Sequence, residues 1–115
     1  MKNILIAAGD LAVRDSLVLI LSREKYHLKV ATSYEHSLKI VWASPPHAML
    51  LDFECPSIDA PTLLEAARKI VPNVCVIALH SDAAFDLTQH QLKYLIKKPL
   101  TRERVIRVVT RCLAA

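Results

Sequence analysis

Five short apolar runs, at residues 3–7, 28–31, 48–53, 74–79 and 94–96, recur about every 20 to 25 residues. Most of the intervals between them carry apolar residues at helical spacing, which is the rhythm of successive βα units. The runs show little polar alternation, so they read as strands covered on both faces within a parallel sheet. One wound α/β domain over residues 1–115 is expected, without internal repeat or linker.

The first helix is predicted over residues 11–22, with Val13, Leu17, Ile20 and Leu21 on one face and Asp10 as its cap. The second opens on a capping box, Thr32 with Glu35, buries Tyr34, Leu38, Val41 and Trp42, and stops at Pro45-Pro46. A third begins near Pro61-Thr62, with Thr62 and Glu65 at the same capping spacing. It buries Leu63, Ala66, Ala67 and Ile70 and ends before Pro72. In the last, capped by Thr101, Val105, Val108, Val109 and Cys112 turn to the sheet while Arg104, Arg107 and Arg111 turn away. Residues 82–92 carry no such stripe, so the fourth helix is expected to be short or irregular.

Composition narrows the chemistry. A chain of 115 residues would ordinarily hold about eight glycines, and this one holds a single glycine, Gly9. A glycine-rich phosphate loop and a G-x-S-x-G elbow are both excluded, and with them a flavin-binding or other α/β enzyme built on such loops. No enzymatic activity is expected. The longest apolar run is far below the roughly 20 residues a membrane helix needs, and Asp10 interrupts the start before a signal-peptide core would be complete. A cytoplasmic protein without membrane partners is the expectation. Cys55, Cys75 and Cys112 form no C-x-x-C pair, so all are read as reduced thiols. The net charge of +4 is mild, and neither a recognition helix nor a basic arm is visible, so direct nucleic-acid binding is not expected.

In an open parallel sheet, reacting groups gather at the carboxyl ends of the strands. That rule selects Gly9 and Asp10 after the first run, Asp52, Glu54 and Cys55 after the third, His80 and Ser81 after the fourth, and Lys98 and Pro99 after the fifth. Carboxylates, a lysine and hydroxyl or imidazole donors on one edge suit a phosphoryl group, whose charge must be neutralised by cations and hydrogen bonds.

The segment Met49-Leu50-Leu51-Asp52-Phe53-Glu54-Cys55-Pro56-Ser57-Ile58-Asp59 resembles the phosphoacceptor strand and loop of response-regulator receiver domains. Lys98-Pro99 after Tyr94-Leu95-Ile96 resembles their fifth-strand lysine and proline. Ile4-Leu5-Ile6, leading to Ala12-Val13-Arg14-Asp15-Ser16-Leu17, resembles their first βα unit. The resemblance covers essentially the whole chain. It implies a flavodoxin-like, CheY-like doubly wound sheet of five parallel strands in the order 2-1-3-4-5, a (βα)5 chain whose fourth helix is short or irregular. It also implies that Asp52 accepts a phosphoryl group from a histidine kinase or phosphotransfer protein, that Lys98, His80 and Ser81 contact the phosphoryl oxygens, and that the Lys98-Pro99 bond is cis.

Departures from the pattern weigh against that chemistry. The positions that hold an acidic Mg²⁺-binding pair in active receivers are Ala8 and Gly9, leaving Asp52, the Glu54 backbone carbonyl and a displaced Asp10 as metal ligands and only weak Mg²⁺ affinity. His80 stands where a hydroxyl residue is usual, either contacting a phosphoryl oxygen, pairing with Asp52, or simply hydrogen-bonded at the edge. Where the family has glycine, Asp59 is followed by Ala60 and Pro61. A residue before proline resists a left-handed turn, so this loop should be rebuilt.

Two readings follow. In one, the chain is an atypical receiver in two-component phosphorelay signalling, working by protein recognition with little or no phosphorylation of Asp52. In the other it is an active Mg²⁺-dependent phosphoacceptor. Arg104, Arg107 and Arg111 are the candidate face for an output domain or effector protein.

Overall fold

The computed structural model describes residues 1–114. Five strands, β1 (Lys2–Ala7), β2 (Tyr26–Ala31), β3 (Ala48–Asp52), β4 (Cys75–His80) and β5 (Tyr94–Lys97), alternate with four helices. These are α1 (Leu11–Leu21), α2 (Tyr34–Ala43), α3 (Ala60–Ile70) and α4 (Arg102–Ala114). All strand pairs are parallel and the order is β2-β1-β3-β4-β5. The fourth βα unit has only a single 3₁₀ turn, Thr88–His90, as its stripe-free sequence requires.

Strand alternation splits the core into two layers. Ile4 and Ile6 of β1 join Leu50, Ile77 and Leu79 under Leu17 and Leu21 of α1 and Val105 and Val109 of α4. Leu5, Ala7, Met49, Leu51 and Ala78 face the opposite way, toward Val41 of α2 and Leu63, Leu64 and Ala67 of α3. All five residues of β3 are buried, because it lies at the centre of the sheet between two helical layers. By contrast β2, at an edge, alternates half-buried Leu28 and Val30 with exposed His27 and Lys29.

Several local expectations are corrected. The α2 cap is Ser33, whose hydroxyl accepts from His36 N–H at 3.2 Å, rather than Thr32. Starting at Tyr34, that helix turns Ser37 and Val41 to the sheet. Trp42 lies one helical step of about 100° past Val41 and is 66% exposed instead of buried. Helix α3 starts at Ala60 after Asp59, so Thr62 lies inside the first turn and caps nothing. The left-handed conformation of the preceding loop falls on Asp59 (φ 49°, ψ 62°), a residue type that tolerates it, and Ala60 is spared.

The cysteines also depart from expectation. Cys75 opens β4 and Cys112 lies in α4, which packs on that strand, so two residues far apart in sequence meet and form a disulfide with a Cα–Cα distance of 5.9 Å. Closing a separation of 37 residues narrows the unfolded ensemble by up to about 4 kcal/mol. Cys55 alone is a free thiol among the described residues. Among the same residues no helix is long and apolar enough to cross a membrane.

Candidate functional site

Strand register builds the site. Asp52 at the end of β3 pairs with Leu79 of β4, and His80 pairs with Lys97 of β5, so the residues that follow each strand emerge on one edge of the sheet. The ladder continues one step further through Lys98 N–H to the His80 carbonyl (2.9 Å), and the Lys98–Pro99 bond is cis.

Asp52 is 1% exposed. Its Oδ1 accepts from Lys98 Nζ and from Glu54 N–H, each at 3.0 Å. The same ammonium lies 3.0 Å from Glu54 Oε1, so Lys98 bridges two carboxylates. Glu54 Oε1 further accepts from the Ser81 N–H at 2.9 Å and the Ser81 hydroxyl at 2.8 Å. The Glu54 side chain is thus a member of the site in its own right, through its carboxylate. Its reach back to Ser81 spans 27 positions and no local motif announces it.

These contacts set the protonation states. The hydrogen bond from Ser81 holds the Glu54 carboxyl below its ordinary value of 4.5, partial burial works against this, and Lys98 reinforces it. Burial pulls Lys98 down, but its bonds to Asp52 and Glu54 together outweigh burial and hold the ammonium above 10.5. Opposite charges at hydrogen-bond distance thus favour the ionised forms of Glu54 and Lys98.

His80 forms no hydrogen bond within the cluster, although its nearby charge also helps to lower the Glu54 carboxyl. Its Nδ1 accepts from Asp82 N–H at 3.0 Å, and its ring stacks on Phe85 with centroids 4.9 Å apart. Phe85 in turn meets His90 at 5.6 Å and Phe53 at 5.0 Å, so this aromatic pile anchors the irregular segment after β4 beside the site. Of the phosphate-binding candidates, Lys98 and Ser81 come together and His80 is held aside; it forms no bond to Asp52 among the described residues.

Asp10 caps α1, its Oδ1 accepting from Ala12 N–H (2.8 Å) and Val13 N–H (3.2 Å). Asp52, Glu54 and Asp10 do not converge as metal ligands: among the described residues no three His, Cys, Asp or Glu side chains are grouped to hold an ion. Mg²⁺ requires an octahedral set of oxygens. Here Glu54 is committed to Ser81 and Lys98, Asp10 to its helix, and Ala8 and Gly9 offer no side-chain oxygen. The residues present do not fit the ion.

Gly9 explains part of this arrangement. A Cβ at that position would collide with Cys55 Sγ and come within 2.9 Å of Ser57 Oγ. The loop after β3 occupies that space because Ser57 donates to the Thr32 carbonyl (2.9 Å) while Tyr34 N–H donates to the Ser57 carbonyl (2.9 Å). On α4, Arg107 and Arg111 are exposed and Arg104 is half-buried.

The chain matches no protein-family model and no curated protein by sequence. Solved structures do match it. A CheY-like response-regulator receiver domain protein from Methanospirillum hungatei is 24% identical with a TM-score of 0.88, over 99% of this chain and 94% of that one. The chemotaxis protein CheY4 of Vibrio cholerae is 15% identical with a TM-score of 0.89, over 98% and 99% of the two chains. NtrX from Brucella abortus, solved in complex with ADP, is 23% identical with a TM-score of 0.87 over 98% of this chain, which spans only 26% of NtrX. The chain has the CheY-like receiver fold.

Proposed function

We propose that this chain is an atypical receiver-like domain of two-component signalling, a non-enzymatic cytoplasmic module that acts by protein recognition with little or no phosphorylation of Asp52. The observation that carries this reading is the Glu54 carboxylate resting on Ser81 and Lys98 beside a buried Asp52. The donors that would receive phosphoryl oxygens are satisfied from within the chain, and the oxygen set that would hold Mg²⁺ is lacking. Phosphoryl transfer depends on charge neutralisation by metal and donors together, so its two supports are both weakened.

Partners follow from the same reading. A histidine kinase or phosphotransfer protein docks near the Asp52 edge, and an output domain or effector protein meets the α4 face through Arg104, Arg107 and Arg111. That the chain corresponds to 26% of the NtrX chain supports an output partner, since a unit of this size fits within a longer protein. Basic side chains on that face favour an acidic partner and speed its encounter. Nucleic acid and membrane are not proposed as partners.

Intact-mass measurement after incubation with Mg²⁺ and an acyl phosphate donor tests the reading. The protein stays unmodified if it holds. Stoichiometric addition of a phosphoryl group that Asp52→Asn abolishes would instead establish the active phosphoacceptor.

A further inference from the structure

At the amino-terminal edge of the sheet, opposite the Asp52 site, a groove of about 390 Å³ opens beside both Cys75 and Cys112. Lys2, Arg68, Lys93 and His47 line it, and among the described residues no Asp or Glu does. The Arg68 guanidinium is fixed there by donating to the carbonyls of His90 (2.8 Å) and Gln91 (2.6 Å), neither of which neutralises its charge. Both cysteines line this groove, Cys75 half-buried and Cys112 only 3% exposed. Basic side chains lining a groove draw anionic reagents into it, and here they bring them to the wall that carries Cys75.

We propose that Cys75 and Cys112 are a reversible thiol–disulfide pair that fastens α4 to β4, and that the basic groove receives its oxidant, an anionic low-molecular-weight disulfide of the glutathione class. In the reduced protein, the Cys75 thiolate attacks one sulfur of the incoming disulfide. A mixed disulfide forms and one glutathione leaves as the thiolate. Cys112 then gives its proton to solvent and attacks the Cys75 sulfur, expelling the second glutathione. Two protein thiols lose two electrons in all, and one glutathione disulfide becomes two glutathione molecules. Cys75 is the attacking residue because it is the more exposed of the two; Cys112, only 3% exposed, resolves.

The test uses the whole chain in buffers of reduced and oxidised glutathione, followed by acid quench, thiol alkylation in denaturant and mass analysis. Both cysteines are expected to alkylate in excess reduced glutathione and to be protected after oxidised glutathione is added, while Cys112→Ser accumulates the mixed disulfide on Cys75. Lys2→Gln with Lys93→Gln should slow closure by glutathione disulfide about tenfold at low salt and leave closure by the uncharged bis(2-hydroxyethyl) disulfide unchanged. A pair that stays bonded in reduced glutathione, a pair that never bonds, or glutathione accumulating only on Cys55 would overturn the proposal, as would indifference of the rate to the lysine changes. If Cys112→Ser does not fold, alkylation of the unmodified chain decides alone.

Discussion

One carboxylate oxygen of Glu54 takes both donors of Ser81, the backbone N–H at 2.9 Å and the hydroxyl at 2.8 Å, while standing 3.0 Å from Lys98 Nζ. The loop after β3 is thereby tied to the loop after β4 by a charged side chain of the protein itself. Glu54→Ala frees those donors. Hydrogen bonds to a charged group are worth about 1.5–3 kcal/mol, and solvent exposure of Glu54 reduces this to about 1 kcal/mol. The variant should therefore fold with slightly lowered stability in urea and gain amide shifts at Ser81 and Lys98 when inorganic phosphate is added; the parent chain should show none.

Lys98→Met leaves the Asp52 carboxylate, 1% exposed, without its cation. Breaking a buried pair from one side costs about 3–5 kcal/mol. A second change, Asp52→Asn, removes the stranded charge and should recover most of the loss. Urea unfolding of the two variants measures both effects, and a cost below about 1 kcal/mol for Lys98→Met would mean that the pair is not buried as described.

Acid should weaken the cluster from the Glu54 side. Its carboxyl lies below the ordinary 4.5 in the folded chain, so the unfolded chain binds the proton more tightly. The stabilisation is full above that ordinary value and disappears as pH falls through the lowered one. Lys98 has the opposite sense: its value lies above 10.5 in the folded chain, so its contribution is full below 10.5 and is lost only as pH rises through the raised value. Urea midpoints from neutral pH to about pH 3 should fall less steeply in Glu54→Gln than in the parent.

Gly9→Asp is the substitution that would reinstate an acidic residue on this edge, and it meets Cys55 Sγ and Ser57 Oγ at once. Overpacking of this kind costs about 1–3 kcal/mol. Adding Cys55→Ala should return much of it, as seen in the thermal midpoint. If Gly9→Asp alone is neutral, the loop does not hold the position that closes the site.

The sheet was legible because its strands are apolar runs at regular spacing, and Asp10 was legible as a cap because its carboxylate acts within its own turn. What escaped depends on distant partners. Glu54 meets Ser81 only after two strands align, and Cys75 meets Cys112 only when α4 lies across β4. Trp42 misled by fitting an apolar stripe whose core positions Ser37 and Val41 fill instead. The aromatic pile of Phe53, Phe85, His80 and His90 draws on separate segments, so periodicity could not reveal it.

The most direct measurement is an NMR titration of the chain with Mg²⁺ and beryllofluoride, following the signals of Asp52, Glu54, Ser81 and Lys98. With the donors held by Glu54 and the metal ligands missing, no saturable shift is predicted at millimolar concentrations. Shifts centred on Asp52 and Lys98 that saturate in that range would contradict the account and make Asp52 a working phosphoacceptor.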